Sequence, residues 1–351
     1  MTVMNVLERA QGGDTGAFAE LVEPFRRELY VHCYRMLGSV QDAEDVLQET
    51  LTSAWRGLGG FAGRASVRTW LYRIATNRCL NWLRDTTRAR TPATGASGPG
   101  GASGPAGTSR PGGASGAGAG GGVGVDLPEP TRTGEPIWLQ PIPDALLEGL
   151  PDDTPGPEAR YERREAVSLA FVAAVQSLPP RQRAVLLLRD VLGYRAAETA
   201  ELLDMTEHAA NALLRRARSV SFERAEAGPP SPRQRLAAAR FADAIEAGDV
   251  DTMVTLLTDD AWLTMPPAPF EYQGHAAIAG FFRHVGLADG RRRYTLVPVG
   301  ANWQPAYGCY VSGHAQGLLV VTMRGELVSA FTRFLDNATL PHFGLPRRLC
   351  P

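Results

Sequence analysis

The stretch Arg195–Arg218 reads RAAETAELLDMTEHAANALLRRAR. Its pattern is helix, tight turn, helix. Ala200 is small where two helices would cross closely, and Leu202 and Leu203 supply core. Asp204 and Met205 form the turn, and Thr206 is a good N-cap for the second helix. In that helix Ala210, Leu214 and Ala217 share the inward face. Glu207, His208, Asn211, Arg215 and Arg218 share the outward one. An amide and two guanidiniums on one stripe suit purine edges and phosphates in a major groove. The same pattern also suits the solvated face of an ordinary helical hairpin.

Upstream, residues 67–83 are expected to form a helix after the loop FAGRAS (61–66). Arg73, Asn77, Asn81 and Arg84 lie on one stripe, with Trp70, Tyr72 and Trp82 interleaved. Cations mixed with aromatics suit melted DNA, whose exposed bases stack on rings. Phe61, Arg64 and Ser66 lie in a loop fit to hold an extruded base. The alternative is that the tryptophans are core and the arginines snorkel. Further upstream, QDAEDVLQETLTSAW (41–55) sets a polar face of Asp42, Asp45, Gln48 and Glu49 beside an apolar one.

The 351-residue chain suggests two or three domains. Its 36 basic residues, all Arg, balance 37 acidic ones, so the net charge is −1. That excludes a globally basic binder and confines nucleic-acid contacts to local stripes. Of residues 91–125, 29 are Gly, Ala, Pro or Ser, so a flexible linker is expected. The following acidic, Pro-rich stretch contains IWLQPIPDALLEGL (137–150), whose apolar residues are an adhesive handle. AGPPSP (227–232) marks a second break. Beyond it, helices near 233–247, 250–257 and 275–285 precede strand-like runs at 292–301, 317–323 and 327–334, an α+β pattern. Cys33, Cys79, Cys309 and Cys350 form no CxxC pair, so neither a disulfide framework nor a zinc site is expected, and a reducing cytoplasm is the natural compartment. No run reaches the ~18 apolar residues of a membrane span, and the N-terminus lacks a signal-peptide apolar region.

DAEDVLQETLTSAW, VRTWLYRIATNRCLNWLR (67–84) and LPPRQRAVLLLRDVLGYRAAETAELLDMTEHAANALLRRAR (178–218) resemble a bacterial RNA polymerase sigma factor of the extracytoplasmic-function (ECF) group. FADAIEAGDVDTMVTLLTDDAWLTMPP (241–267), YQGHAAIAGFF (272–282) and HFGLP (342–346) resemble a SnoaL-like domain, a cone-shaped α+β fold shared with nuclear-transport-factor-like proteins. WLQPIPDALL (138–147) resembles the linker motif of sigma factors that carry this domain.

The resemblance implies two all-α sigma domains at 1–90 and 158–226, a linker at 91–157 and an α+β domain at 233–351. It implies that Asp42, Asp45, Gln48 and Glu49 dock on the β′ coiled coil of core RNA polymerase, with the β subunit as a further partner. Phe61, Arg64, Trp70, Arg73, Asn77, Asn81 and Arg84 would melt and read the −10 element. His208, Asn211, Arg215 and Arg218 would read the −35 element. Asp204 stands where the family usually has Gly, and Glu207 where an apolar residue is usual. No cofactor, metal or membrane partner is expected; an anti-sigma factor or a small-molecule ligand stays open. For the C-terminal domain the expectation is an intramolecular regulator. The alternative is an isomerase or hydrolase using Asp259, Asp260, His275 or His314, lined by Trp262, Tyr272, Trp303 and Tyr307. A stand-alone repressor is a third reading.

Overall fold

The computed structural model describes residues 3–90, 127–134, 139–148, 166–219, 229–287 and 289–349. The Gly-rich stretch 91–126, the handle residues Ile137 and Trp138, and Cys350 lie outside the described residues.

The N-terminal unit consists of α1 (Val3–Gln11), α2 (Thr15–Leu37), α3 (Val40–Gly57) and α4 (Val67–Arg90). Asp14 caps α2 by accepting from the Ala17 amide, and Gly38 ends it at φ 73°. Ser39 starts α3 one residue later, accepting from the Asp42 amide. Buried Leu29, Met36, Val46, Leu47, Leu71 and Ala75 form the core between these helices.

The second helical unit has α5 (Leu169–Gln176), α6 (Pro180–Leu186) continuing through a π-turn at Leu187–Val191, α7 (Ala196–Leu202) and α8 (Glu207–Ala217). The turn between α7 and α8 forms as expected. Asp204 takes the left-handed conformation at φ 49°, which a short polar side chain tolerates better than most. Thr206 caps α8 by accepting from Ala209, and Ala210, Leu214 and Ala217 face inward.

The C-terminal unit opens with α9 (Pro232–Ala247) and α10 (Val250–Thr255). Ser231 and Gln234 make a reciprocal capping box at the start of α9. A short linker strand, β1 (Arg132–Thr133), joins β2 (Leu257–Met265), β3 (Ala268–Gln273), β4 (Tyr294–Ala301), β5 (Gln304–Val311), β6 (His314–Arg324) and β7 (Leu327–Phe334) in one sheet of order β1-β3-β2-β7-β6-β5-β4. The β2–β7 pair is parallel and the others are antiparallel. α11 (Gly274–His284) lies between β3 and β4 in the chain.

The sheet is buried on two faces. One face packs on α9–α11 through Phe241, Phe281, Phe282, Leu263, Val321 and Phe331. The Phe241–Phe331 ring centroids are 5.2 Å apart and the Phe282–Phe331 centroids 6.0 Å. The opposite face, with Ala306, Tyr310, Leu318 and Val320, belongs to the same core as the two helical units.

Three strands differ from the sequence reading. The helix expected over 250–257 ends at Thr255, and Asp259 and Asp260 just beyond it lie in β2, exposed where its pairing with β7 slips between Leu257 and Trp262. The irregular segment takes both carboxylates outward, so a strand tolerates two adjacent acids. β3 and β5 also went unread. Pro269 interrupts the first, and Pro305 and Gly308 break the period-two pattern of the second.

Candidate promoter and polymerase faces and the seam behind them

Each expected binding stripe lies on its own element. On α3, Asp45, Gln48 and Glu49 are exposed and Asp42 is half-buried, one turn in from the cap. Glu49 is 3.9 Å from Arg78, a surface pair of little energetic weight. On α4, Arg73, Asn77, Asn81 and Arg84 are exposed along one side. Arg64 is exposed in the preceding loop, where Phe61 packs on Trp70 at 4.9 Å between centroids. Trp70 is half-buried against the core, so one edge is anchored while the rest can meet a base.

Tyr72 does not belong to that aromatic surface. It is fully buried, edge-on to His32 at 5.2 Å and to Tyr194 at 5.9 Å. Burial pushes its phenol well above the ordinary range. Helical geometry is the reason: Tyr72 falls one position from Arg73, about 100° round the helix, toward α2.

On α8, His208, Asn211 and Arg215 are exposed. Arg218 is also exposed but is held by Asp190 of the π-turn, with Nη2–Oδ1 at 2.6 Å and Nε–Oδ2 at 2.9 Å. That fork is made within the unit, so a phosphate would have to compete for Arg218.

Behind these faces, a seam joins all parts of the chain. Its centre is Asn302, 1% exposed, in the turn between β4 and β5. Asn302 Nδ2 donates to the Tyr34 hydroxyl of α2 at 3.0 Å and to the Val167 carbonyl ahead of α5 at 2.7 Å. Its Oδ1 accepts from the Ile142 amide at 3.0 Å, and its own amide returns a bond to the Ile142 carbonyl at 2.9 Å. One side chain thus ties the C-terminal unit to both helical units and to the linker.

The linker segment 139–148 runs through this seam. Leu139, Ile142 and Leu147 are buried, each apolar side chain contributing about 1.5–3 kcal/mol if fully removed from water. Gln140 Oε1 accepts from the Ser39 hydroxyl and the Val40 amide, and its carbonyl accepts from Tyr34. The two helical units also touch directly. Arg183 of α6 is 4% exposed and donates to the Met36 carbonyl at the end of α2 and to Gln176. Burial lowers its guanidinium to about 10. Arg68 forks Glu28 and lies 4.9 Å over the Tyr72 ring, beside Tyr194. None of Tyr34, Arg183, Asn302 or Gln304 stood out in the sequence, because each has at least one bonding partner in another unit more than a hundred residues away.

Asp144 occupies the linker–sheet contact. Its Oδ1 accepts from the Trp303 amide at 2.8 Å, and the missing side chain of Gly300 leaves room for its carboxylate. Burial pushes its carboxyl up to about 6, against the opposing effect of the Trp303 bond. A raised carboxylate pKa means that docking is strongest below about pH 4 and weakens as pH rises through about 6. Asp144→Asn keeps an acceptor for Trp303 and removes the charge. At pH 7 it is expected to raise Tm, by about 1–3 kcal/mol of stability, with most of the gain lost by pH 4. Equal gains at both pH values would refute this assignment.

The candidate acid–base groups of the C-terminal unit do not converge. His275 Nε2 is 3.3 Å from the Leu257 carbonyl and 3.9 Å from Asp259. Asp260 pairs with Arg324 at 3.0 Å, and His314 bonds the Ser312 carbonyl in a different turn. The four candidate lining aromatics also separate. Tyr272 and Tyr307 lie on the helix side of the sheet, whereas Trp303 packs in the seam and Trp262 lies under Arg132 at 5.0 Å. Strand alternation sends neighbours to opposite faces. Among the described residues no cluster of His, Cys, Asp and Glu could hold a metal, and no helix is long and apolar enough to cross a membrane.

Comparison with known proteins agrees with this architecture. The family models described as Sigma-70 region 2, Sigma-70 region 4 and SnoaL-like domain match residues 21–89, 168–219 and 238–328. The ECF RNA polymerase sigma factor SigG of Mycobacterium tuberculosis is 41% identical over 345 residues, covering 95% of this chain and 85% of the relative. The chain belongs to the ECF RNA polymerase sigma factors. SigJ of the same organism is 29% identical over 245 residues, covering 69% of this chain and 62% of SigJ. The crystal structure of SigJ superposes with a TM-score of 0.55 at 22% identity, covering 92% of this chain and 97% of that one, which extends the likeness in fold across all three units. This sigma factor directs promoter-specific transcription initiation and is not an enzyme; the sigma regions coincide with the two helical units, and the SnoaL-like region with the sheet unit.

Proposed function

We propose that this sigma factor, working in the cytoplasm, docks on core polymerase through the acidic face of α3, reads the −35 element through α8, and melts the −10 element through α4 and the 61–66 loop. The exposure of all three stripes supports this reading. We further propose that the C-terminal domain and the 139–148 segment hold the two sigma units in a closed, inactive arrangement. The observation that carries this is the Asn302 junction, which bonds both sigma units and the linker at once.

Dimensions supply the sign. Elements at −35 and −10 are about 25 base pairs apart, roughly 85 Å of B-DNA. Each sigma unit has a radius of gyration of about 12 Å for its length, so two in contact span at most about 60 Å. A released 91–157 linker, at ~5–6 Å × √n, reaches about 45 Å and permits the separation. Closure therefore works through spacing and leaves the DNA-reading stripes exposed. Run-off transcription with core polymerase tests it: truncation after Ala227 is expected to raise output severalfold at equal folded concentration. Indistinguishable output, with and without cell extract, would remove the regulatory reading.

The docking face has its own test. Reversing Asp45 and Glu49 to Arg is expected to lower core-polymerase affinity at least tenfold, because the like charges would meet a basic partner surface. The pull-down is paired with a thermal melt. Unchanged affinity in a folded variant would rule out this face.

A further inference from the structure

The sheet face that meets the sigma units is not fully packed. A cavity of about 290 Å³ remains between α5, the linker and β2, β3, β6 and β7. We propose that it binds a compact, neutral aromatic molecule carrying hydroxyl or carbonyl oxygen, and that this ligand holds the closed arrangement. The inference rests on the closed-state reading above.

The walls come from three parts of the chain. α5 contributes Leu169, Ala170 and Ala173 as the lid, the linker contributes Arg132 and Leu139, and the sheet supplies the floor. The site lies on the opposite sheet face from α9–α11. Thr264, Thr322 and Thr332 line it, whereas the intervening Leu263, Val321 and Phe331 point to the helices. The space between helices and sheet, the interior of the cone, is filled by Phe241, Phe281, Phe282 and Phe331.

The lining specifies the chemistry. Trp262, Leu139, Leu169 and the small lid residues make the cavity mainly apolar. Its volume is at the lower end of ligand pockets, which run from ~300 Å³, and suits one or two rings. Thr264 and Thr332 hydroxyls are 3.0 Å apart. One proton serves the pair, and the other, with the remaining lone pairs, can meet a hydroxyl or carbonyl. Arg132 at the rim does not call for an anion, because Glu271 neutralises it at 2.6 Å while Trp262 carries its planar face.

The same residues couple the cavity to closure. Thr322 accepts from Gln304 Nε2 at 2.7 Å, and Gln304 Oε1 accepts from the Leu169 amide at the start of α5. The lid is thus held through a floor residue. If α5 leaves the sheet, the cavity loses one wall, so a ligand requiring that wall binds the closed form alone and shifts the population toward it.

Isothermal titration calorimetry on the full chain tests the site with 1-naphthol and 1-tetralone. Saturable binding is expected for both. Ala173→Leu, which fills the cavity from the lid, should weaken it at least tenfold. Thr264→Val, nearly isosteric on the floor, should weaken it severalfold and guards against a lid variant that merely loosens α5. In run-off transcription each probe should lower output severalfold with the full chain and leave the chain truncated after Ala227 unaffected. Absence of binding up to the solubility limit, or binding indifferent to both variants, overturns the site. Binding seen only after Trp138→Ala would assign the cavity to the chain's own 135–138 segment and overturns it equally. Binding without loss of output overturns the coupling. The calorimetry decides the site however transcription behaves, and Asn302→Ala decides the closed-state reading without any ligand.

Discussion

Asn302→Ala is expected to raise promoter-dependent transcription severalfold, toward the output of the chain truncated after Ala227. The substitution leaves the Val167 carbonyl, the Ile142 amide and the Tyr34 hydroxyl short of partners at a buried junction. Each buried polar group left unsatisfied costs about 1–3 kcal/mol. Asn302 also sits at φ 57°, where a residue with a Cβ and no local hydrogen-bonding group loses roughly another 1–2 kcal/mol. The lost bonds fall on the closed arrangement, because the open one has no junction, whereas the backbone cost stays with the β4–β5 turn in both. Even about 3 kcal/mol shifts the closed–open equilibrium more than a hundredfold. Asn302→Gly separates the two causes: it relieves the backbone but not the lost bonds, so it should activate as much as Asn302→Ala while melting at a higher temperature. The experiment pairs run-off transcription with the distance between labels on α4 and α8. Activation without an increase in that distance would sink the spacing mechanism, and neither change would sink closure itself.

The second large effect concerns the −35 element. Asn211→Ala and Arg215→Ala should each reduce transcription from the best promoter by about 1–3 kcal/mol, roughly 5- to 150-fold. If Asn211 reads a base edge, its loss should relax preference at one base pair and spare promoters already mismatched there. If Arg215 grips phosphate, all promoters should weaken alike and the salt slope should fall by about one. Arg218→Ala should do less, because Asp190 already holds its guanidinium in the free protein. Single-base promoter libraries across two salt concentrations make the distinction. If none of the three substitutions alters −35 dependence, α8 does not enter the groove.

The helices and their exposed stripes could be read from local sequence. α8 shows why: Thr206 caps it, Ala210, Leu214 and Ala217 repeat at helical spacing, and Asp204 takes the turn. Every one of those determinants lies between Asp204 and Ala217, so no distant partner was needed to see them. Arg73 and Asn77 were placed on the exposed side of α4 by the same periodicity. The same periodicity turns Tyr72 away from that side toward α2, where His32 and, more than a hundred residues on, Tyr194 complete its burial.

In the C-terminal domain, α9 and α11 and strands β6 and β7 followed from composition, but β2, β3 and β5 did not. A strand's stability comes from its neighbours, and an irregular pairing can carry Asp259 and Asp260 outward from an otherwise buried β2. The linker divides in the same way. Its Gly-rich composition announced a connection, and its apolar residues announced a handle, but nothing local says that Ile142 meets Asn302 or that Asp144 settles over Gly300. An Asn in a turn is ordinary in sequence. It becomes a junction only when four chain segments converge, since a buried amide is satisfied by whichever donors and acceptors the tertiary packing brings to it. Family, helical order and binding stripes were therefore determined by the sequence alone. The closed arrangement, the reach of Asn302 and the cavity under α5 were decided by tertiary structure, because they consist of contacts between surfaces that no local pattern pairs.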